Sequence, residues 1–332
     1  MDIKIFEKIL SKYPKFRLKQ AKKHLYKDLI TDWSDSTVLP NRLKEELNSK
    51  VSLRVKANTY KSKKKDTVKA LIELEDGMYI ETVLMKHQDG RNTVCVSSQV
   101  GCPLGCSFCA TGKMGFKRNL NTWEIVEQVL FFARLLKEKK EKVSNVVFMG
   151  MGEPFLNYDI VLEAVRILND GEGFKLGARN ISISTAGVIE GINRLREESL
   201  QINLAVSLHA PNNEIRSYLM KINEKYPLED LLNAVSEYVK KTRRKVMFEY
   251  MLVRNINDSE ENARDLASIM KNRLYVVNLI FYNPTSGSLR SSSAKRVERF
   301  REILEQEGVK VTQRFSFGQD IKGACGQLAG KL

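Results

Sequence analysis

The spacing of the hydrophobic positions changes along the 332-residue chain. Near the amino terminus, apolar side chains recur every three or four positions and predict three short helices, at residues 5–13, 16–30 and 41–47. Pro14 and Pro40 interrupt this pattern, as expected at helix boundaries. From residue 51 the spacing becomes two, which predicts strands at residues 51–55, 68–74, 78–85 and 92–98. The first quarter of the chain is therefore expected to be a helical segment followed by antiparallel strands.

Beyond residue 91, apolar strands alternate with amphipathic helices. The predicted strands are residues 93–97, 145–148, 181–185, 202–208, 245–252, 275–282 and 309–315. The predicted helices are residues 122–140, 158–169, 188–198, 228–242, 259–271 and 294–307. Six β/α units with apolar strands predict a parallel sheet in an α/β fold, curled into a partial (β/α)6 TIM-type barrel. An open doubly wound sheet is the alternative.

These patterns divide the chain into a helical domain (1–48), a β-hairpin extension (49–90) and an α/β core (91–332). A two-residue turn at Asp89-Gly90 would place Leu84 opposite Cys95. In that register Glu81 and Cys95 lie on opposite faces of the sheet, so a bulge would be needed to bring both to one site.

The charge is concentrated at the amino terminus. The formal charge is +15, and residues 1–70 contain 19 Lys and Arg against 8 Asp and Glu, a net +11. This asymmetry predicts an anionic partner such as RNA, bound by the helical domain. The loop with Lys61, Lys63, Lys64 and Lys65 is expected to contact phosphates. Alternatively, the helices cap the core and expose a solvated lysine-rich face.

The sequence also indicates the cellular compartment of the protein. No apolar run approaches the length of a membrane span, and the residues after Met1 do not form the apolar region of a signal peptide. Five cysteines, an odd number, do not form a secreted disulfide framework. We therefore expect a cytoplasmic protein without membrane association.

Three of the cysteines are candidate metal ligands. Cys102, Cys106 and Cys109 have C-x3-C-x2-C spacing, and Gly105 allows a tight turn between them. A structural zinc site would need a fourth nearby ligand, and His87 lies well outside this loop. Three thiolates on a four-iron cluster, with one iron open for a cofactor, fit better. A structural zinc knuckle remains the alternative.

Polar motifs follow most of the predicted parallel strands. The cysteine loop follows the first strand, residues 150–154 follow the second, and Asn283-Pro284 follows the sixth. Ser184-Thr185 ends the third strand, and Ser207-Leu208-His209 ends the fourth. In either α/β fold the carboxyl ends of the strands form the active-site rim. These motifs are therefore expected to share one site.

Three long motifs resemble the RlmN/Cfr family of the radical S-adenosylmethionine (SAM) superfamily. They are Cys95-Val96-Ser97-Ser98-Gln99-Val100-Gly101-Cys102, Phe148-Met149-Gly150-Met151-Gly152-Glu153-Pro154 and Ala324-Cys325-Gly326-Gln327-Leu328. The resemblance implies a radical SAM barrel that methylates adenosine in 23S rRNA and in tRNA. It further implies a [4Fe-4S] cluster, two SAM molecules per turnover, and a low-potential electron donor such as flavodoxin or ferredoxin.

The resemblance also implies roles for single residues. Cys102, Cys106 and Cys109 bind the cluster. Cys325 carries the methyl group, Cys95 resolves the protein–RNA adduct through a transient disulfide with Cys325, and Glu81 accepts a proton. The residues implied to contact SAM are Gly152, Glu153, Ser184, Ser207, Leu208, His209 and Asn283. Without the resemblance, the position of Glu81 favours a solvent-facing glutamate on an edge strand.

Several functional alternatives remain open at this stage. Within the family, residues 153–154 and 209–212 resemble RlmN, which methylates carbon 2 of adenine, whereas residues 314–318 resemble Cfr, which methylates carbon 8. We favour carbon 2. A different radical SAM enzyme, such as a glycyl-radical activase, would share the cluster but would not need Cys95 and Cys325. A non-enzymatic zinc-bearing RNA-binding module is the third possibility.

Overall fold

The computed structural model describes residues 3–285, 287–314 and 316–330. Its amino-terminal segment contains α1 (Ile3–Leu10), α2 (Lys15–Lys23) and α3 (Asn41–Lys50). Pro14 and Pro40 occupy the N-cap positions of α2 and α3, as the sequence pattern indicated. The predicted helix at 16–30 is divided, because a π-helical turn at His24–Asp28 follows α2.

Trp33 is at the centre of this helical segment. Its ring is fully buried and stacks on Phe6 at 5.7 Å. Its indole N–H donates to the carbonyl of Val51 at 2.8 Å. Val51 is also bonded back to Leu47, so the chain continues from α3 as a buried connector. The strand predicted at 51–55 is therefore wrong, and the first strand begins at Lys56.

Four strands then lead into the barrel: β1 (Lys56–Lys61), β2 (Thr67–Glu73), β3 (Tyr79–Lys86) and β4 (Asn92–Cys95). They pair in antiparallel order, so the region predicted as a hairpin extension belongs to the same sheet as the barrel. A small separate sheet follows, in which β5 (Gln99–Gly101) and β6 (Phe116–Asn119) flank the short helix α4 (Ala110–Lys113). The sequence pattern did not predict α4 or this sheet.

The rest of the chain alternates as predicted. Its elements are α5 (Thr122–Lys137), β7 (Asn145–Phe148), α6 (Tyr158–Asn169), β8 (Ile181–Thr185), α7 (Ile189–Glu197), β9 (Asn203–Ser207), α8 (Asn213–Leu219), α9 (Leu228–Thr242), β10 (Val246–Leu252), α10 (Glu260–Ile269), β11 (Tyr275–Phe281), α11 (Ala294–Gln306) and β12 (Val311–Arg314). Only α8 was missed. The final strand was predicted to reach Phe315, which lies outside the described residues.

The strand order confirms the barrel-type α/β fold. The ten-stranded sheet has the order β1-β2-β3-β4-β7-β8-β9-β10-β11-β12. From β4 onward every pair is parallel, and each strand lies beside its predecessor in this series. A doubly wound sheet would reverse its order at a switch point. The described strands show no such reversal, so the open-sheet alternative is wrong.

The β3–β4 register differs from the prediction by one residue. Val83, not Leu84, lies opposite Cys95. The turn has three residues between His87 and Arg91, and Gly90 has a φ of 84°. A three-residue hairpin loop of this kind ends in a left-handed residue, for which glycine is suited. The corrected register puts Glu81 and Cys95 on the same face without a bulge.

The helical segment contacts the barrel through charged side chains. Lys22 lies 3.4 Å from Asp170 and Lys19 lies 3.0 Å from Glu172, both beyond the end of α6. Part of the basic surface of α2 is therefore already paired within the molecule. Among the helices in the described ranges, none combines the length and apolar character needed to span a membrane.

Candidate active site

A cavity of about 180 Å³ opens at the carboxyl ends of the parallel strands. Five cysteines line it: Cys95, Cys102, Cys106, Cys109 and Cys325. Six of the seven residues predicted to contact a cofactor line it as well: Gly152, Glu153, Ser184, Ser207, His209 and Asn283. The fold thus brings together motifs that are up to 230 residues apart in sequence, from Cys95 to Cys325.

The cysteine loop between β5 and α4 is tightly folded. Gly105 has a φ of 60°, and the N–H of Cys109 donates to the carbonyl of Cys106 at 3.1 Å. The N–H of Ser107 donates to the carbonyl of Leu219 at 3.0 Å, which fastens the loop to the end of α8. The three thiols are therefore presented to the cavity from a fixed backbone.

The donor chemistry suits a sulfur-bridged iron cluster. Burial raises the pKa of Cys102 to about 12 and the pKa of Cys106 well above its usual range. Such thiols become thiolates only when a bound cation replaces the lost solvation. Among the described residues, no three His, Cys, Asp or Glu side chains converge closely enough to hold a single metal ion. The cluster assignment thus depends on three thiols around one cavity and not on a preformed single-ion site.

Two glycines in the motif after β7 have a packing role that the sequence did not reveal. Glycines after a strand can leave backbone groups open to a cofactor. However, the N–H of Gly150 donates to the carbonyl of Val96 at 3.0 Å. A Cβ on Gly150 would lie 2.7 Å from that carbonyl oxygen, and a Cβ on Gly152 would lie 2.5 Å from the Cβ of Gln99. The glycines let this motif pack directly against the segment after β4.

Glu153 presents a buried carboxylate to the cavity. It is 3% exposed. Its oxygens accept N–H bonds from Ala186 at 2.7 Å and Phe155 at 3.0 Å. Burial nevertheless raises the pKa of Glu153 to about 7, because two backbone dipoles only partly replace water. A ligand amino group that donates to this carboxylate would favour its charged form.

Two hydroxyls on the cavity wall are free to bind a ligand. Ser184 ends β8 and Ser207 ends β9. Neither side chain makes a hydrogen bond to any of the residues that the structure describes. Ser316 likewise has a buried, unpartnered hydroxyl on the cavity wall within the described ranges. A cavity with three thiols, a buried carboxylate and unpartnered hydroxyls fits a cluster together with a polar cofactor.

His209 is held neutral with a defined tautomer. Its Nδ1 accepts the N–H of Met251 at 3.0 Å, so Nε2 carries the proton. Burial lowers the pKa of His209 to about 3, and Arg216 contributes in the same direction. Its ring meets Phe108 of the cysteine loop edge to face at 5.0 Å. The backbone there is left-handed, with a φ of 58°, which turns the chain toward the cavity.

Two other predicted cofactor contacts have different surroundings. Leu208 is fully buried, its N–H donates to the carbonyl of Glu249, and it is not on the cavity wall. Asn283 is on the wall, but its amide donates to the carbonyl of Cys325 at 3.2 Å and accepts from Gln319 at 2.7 Å. Asn283 therefore holds the carboxyl-terminal segment as well as lining the cavity.

The Cys325 segment is fixed on both sides. Glycines flank Cys325 on both sides, at Gly323 and Gly326, which by itself predicts an exposed, flexible segment. Instead Cys325 is half-buried, and the carbonyl of Gly326 accepts from the N–H of Ala110 at 2.8 Å. The hydroxyl of Thr111 donates to Leu328 at 2.6 Å. Bonds to α4 and Asn283 thus place the thiol in the same cavity as the cysteine loop.

Arg314 and Glu249 are site residues that sequence reasoning did not select. Both line the cavity. The neighbouring sulfur of Cys325 is the main cause that raises the pKa of Arg314, and Glu249 and Cys95 act in the same sense. Burial raises the pKa of Cys95 to about 12, which the charge of Arg314 opposes. Arg314 ends β12, so the rule that selected the other rim residues could have found it.

Glu81 lies at the edge of the site but does not line the cavity. Its side chain is 1% exposed and pairs with Lys69 at 2.6 Å. The same carboxylate accepts the backbone N–H groups of Ala329 at 2.6 Å and Gly330 at 3.1 Å. Glu81 therefore binds the end of the segment that carries Cys325. A proton-accepting role would require its carboxylate to leave these partners.

Comparison with known proteins gives a consistent result. Residues 96–267 match the radical SAM superfamily. The probable dual-specificity RNA methyltransferase RlmN of Dictyoglomus thermophilum is 46% identical over 316 residues, covering 95% of this chain and 90% of that protein. The ribosomal RNA large subunit methyltransferase N of Nitrosopumilus maritimus is 45% identical, covering 95% of this chain and 93% of that protein. A radical SAM methyltransferase from Sphaerobacter thermophilus, known from its crystal structure, is 44% identical in sequence. The two structures match with a TM-score of 0.95, covering 98% of this chain and 97% of that one.

Proposed function

Because the chain belongs to the RlmN family of radical SAM RNA methyltransferases, we propose that it methylates carbon 2 of one adenosine in 23S rRNA, at the peptidyl-transferase centre. We propose the adenosine next to the anticodon of tRNA as its second substrate. Names of relatives support both, since one refers to the large ribosomal subunit and another to dual specificity. A low-potential flavodoxin or ferredoxin is the proposed electron donor.

Carbon 2 of adenine is electrophilic and has no acidic proton, so direct transfer from a sulfonium does not reach it. Enzymes of this family use a [4Fe-4S] cluster and SAM, and consume SAM twice per turnover. When bound, these groups supply the one-electron chemistry that the unactivated carbon requires. In this chain Cys102, Cys106 and Cys109 would hold the cluster, because they share one wall of the cavity.

Cys325 is the proposed carrier of the methyl group. Its thiolate attacks the methyl carbon of SAM, an S–C bond forms, and S-adenosylhomocysteine leaves. Arg314 favours this step, since a guanidinium beside a sulfur stabilises the thiolate. Hydrogen bonds from Asn283 and α4 keep the thiol facing the cavity.

Cys95 is the proposed resolving thiol. It is buried next to Cys325 and Arg314, on the face of β4 that also lines the cavity. Its thiolate would attack the sulfur of Cys325 and break the S–C bond to the RNA-bound carbon. That carbon keeps the bonding electron pair and takes up a proton to become the methyl group. The Cys95–Cys325 disulfide that remains is then opened by a thiol reductant. Both cysteines are free thiols in this structure.

The remaining wall residues are assigned to SAM. Glu153 would accept from its amino group, and the unpartnered hydroxyls of Ser184 and Ser207 would bind its polar groups. Gly152, His209 and Asn283 complete this surface, and Leu208 would contribute through the backbone beside His209. The observation that carries the proposal is the convergence of all five cysteines on one cavity with these groups.

Mass spectrometry of digested ribosomal and transfer RNA, from cells with and without the gene, tests the reaction. We expect 2-methyladenosine only when the gene is present. A product of 8-methyladenosine would instead support the Cfr-like reaction, to which residues 314–318 are similar.

Two variants test the roles of the thiols. Cys325→Ala should abolish methylation while the visible absorption of the reconstituted cluster is retained. Cys95→Ala should accumulate a covalent protein–RNA adduct, detected as a shifted band on a denaturing gel. Normal turnover by Cys95→Ala would remove the resolving role.

A further inference from the structure

A second pocket, of about 320 Å³, lies at the same end of the barrel as the cavity. We name it the rim pocket. Its lining residues are Tyr218, Arg254, Asn255, Ile256, Ser288, Leu289 and Arg290. They come from α8, which follows β9, and from the loops that follow β10 and β11. The pocket is thus built from three successive strand-to-helix connections at the carboxyl ends of the strands.

The rim pocket presents an exposed aromatic ring and two arginines. Tyr218 is 63% exposed, the largest value among the exposed large hydrophobic side chains of the described residues. Neither Arg254 nor Arg290 forms an ion pair or a side-chain hydrogen bond within the part of the chain that the structure describes. By contrast, four exposed arginines on outer helices pair with acids: Arg166, Arg194, Arg264 and Arg299.

The backbone that carries the two arginines is rigid. The N–H of Arg254 donates to the carbonyl of Arg290 at 2.9 Å, so the two loops are joined directly beneath the side chains. The buried amide of Asn257 bonds to the carbonyls of His209 and Met251, both at 2.7 Å. The backbone positions from which the two arginine side chains extend are therefore fixed relative to each other before any ligand binds.

The rim pocket is connected to the active site through α8. Tyr218 precedes Leu219, whose carbonyl accepts from Ser107 of the cysteine loop, and Met220 lines the cavity. Asn257 likewise bonds to the backbone of His209 on the cavity wall. A ligand in the rim pocket would thus be a near neighbour of one in the cavity.

We propose that the rim pocket binds an unpaired nucleotide of the RNA substrate, next to the adenosine that enters the cavity. This inference depends on the proposed function. The base stacks on Tyr218, and phosphate oxygens bind Arg254 and Arg290. An exposed aromatic ring with flanking arginines is the arrangement that recognises single-stranded RNA, because it matches a flat base and an anionic backbone together.

The test measures binding of an rRNA fragment that contains the target adenosine to the full, cluster-reconstituted enzyme. Tyr218→Ala should raise the Kd and KM about tenfold or more, because it removes the stacking surface. Tyr218→Phe keeps the ring and should stay within about twofold of the wild type. Arg254→Gln/Arg290→Gln should weaken binding and reduce the slope of log K against log salt by roughly 1.4, the value for two single-strand phosphate contacts.

Arg243→Gln/Arg273→Gln is the matched control. It removes the same charge from exposed positions that precede β10 and β11, at the opposite ends of the strands. We expect unchanged Kd and salt slope for this variant. Abasic nucleotides introduced one at a time beside the target should identify the bound base, since the abasic site and Tyr218→Ala would not be additive at that position.

Different results would contradict the rim-pocket proposal and the proposed methylation of RNA. If the wild type methylates RNA while Tyr218→Ala and the arginine double variant bind as tightly as the control, the rim pocket is not a nucleotide site. If the wild type methylates Cys325 but no adenosine, the proposed function itself is wrong. Methylation of Cys325 does not require RNA and should be normal in every rim-pocket variant.

Discussion

Glu153 illustrates how burial adjusts a single group to a ligand. The raised pKa of about 7 means that about half of the free protein carries a neutral Glu153 at that pH. A neutral carboxyl is a poor acceptor for an amino group, so in the proposed complex SAM would have to displace this proton. Burial disfavours the charged carboxylate in the empty site. The same burial therefore favours a ligand that donates a hydrogen bond to Glu153 and stabilises its charge.

We predict that SAM affinity falls as pH decreases below about 7. Between pH 7.5 and 5.5 the expected loss is roughly 10- to 30-fold, from competition between one proton and the ligand. Equilibrium dialysis of SAM across this range measures it. Glu153→Gln should bind more weakly and without this pH dependence. A flat wild-type profile would show that Glu153 does not titrate on binding.

Glu81 presents a choice between two roles. The family resemblance implies a proton acceptor, whereas its carboxylate is bonded to Lys69, Ala329 and Gly330. Removing one member of a buried ion pair destabilises the protein, because the remaining charge is left buried without a partner. The structure therefore ties Glu81 to the position of the Cys325 segment.

We predict that Glu81→Ala increases hydrogen exchange of the Ala329 and Gly330 amides and slows methylation of Cys325. The double variant Lys69→Met/Glu81→Gln removes both charges and keeps an acceptor oxygen, so it should restore protection of these amides. Exchange mass spectrometry measures the amides, and intact-protein mass spectrometry measures Cys325. Normal Cys325 methylation in Glu81→Ala, with arrest only after RNA addition, would favour the proton acceptor instead.

At the scale of elements, the motif after β7 depends on close packing. The segment 150–153 lies against residues 96–99. Backbone N–H groups of the first segment donate to a backbone carbonyl of the second, to the hydroxyl of Ser97 and, from Glu153, to the side-chain oxygen of Gln99. This contact fixes the position of Glu153 relative to the carboxyl ends of the strands. A side chain in place of either glycine would push the two segments apart.

We predict that Gly152→Ala destabilises the protein by more than about 2 kcal/mol, from a strained positive φ and a clash with Gln99. Gly171→Ala is the matched control. No heavy atom lies within 4 Å of its Cβ position and its φ is not positive, so the change should stay within about 1 kcal/mol. Urea unfolding of both variants provides the measurement. Equal stability of the two would contradict the packing argument.

At the scale of the molecule, the lysine loop before Thr67 lies at the amino end of β4 and contacts the carboxyl-terminal segment. Thr67 pairs with Met85, and Lys86 pairs with Asn92 at the start of β4. The lysine loop before Thr67 is therefore at the amino end of β4. Its Lys63 N–H donates to Asp320 at 2.7 Å. Asp320 belongs to the segment that carries Cys325, and Met85, which pairs with Thr67, lines the cavity. An RNA contact on this loop would therefore be made next to that segment.

We predict that Lys63→Gln/Lys64→Gln/Lys65→Gln weakens RNA binding and flattens its salt dependence, since each phosphate contact releases counterions. Lys240→Gln/Lys241→Gln/Lys245→Gln removes the same charge from the end of α9 and the start of β10, and should leave the slope unchanged. Filter binding at several salt concentrations compares them. An identical slope in the two triple variants would exclude the loop as a phosphate contact.

The sequence by itself determined an α/β fold with parallel strands and most of the residues that line the cavity. Apolar strands that alternate with helices can form only a few parallel arrangements, and each loop after such a strand reaches the same rim. Cys102, Cys106, Cys109, Glu153 and Ser207 could therefore be placed together without coordinates. Cys325 was assigned by its motif, although its surroundings were not predicted.

The tertiary structure alone decided between the barrel and the open sheet, and it alone decided the β3–β4 register and the partners of Glu81. The register depends on the φ of Gly90 in one turn, and a single-residue change reverses the face of every side chain on the strand. Glu81 meets Ala329 across 248 residues of sequence. Pairings of this kind leave no periodic signal, because they arise where separate elements pack together and not along any one of them.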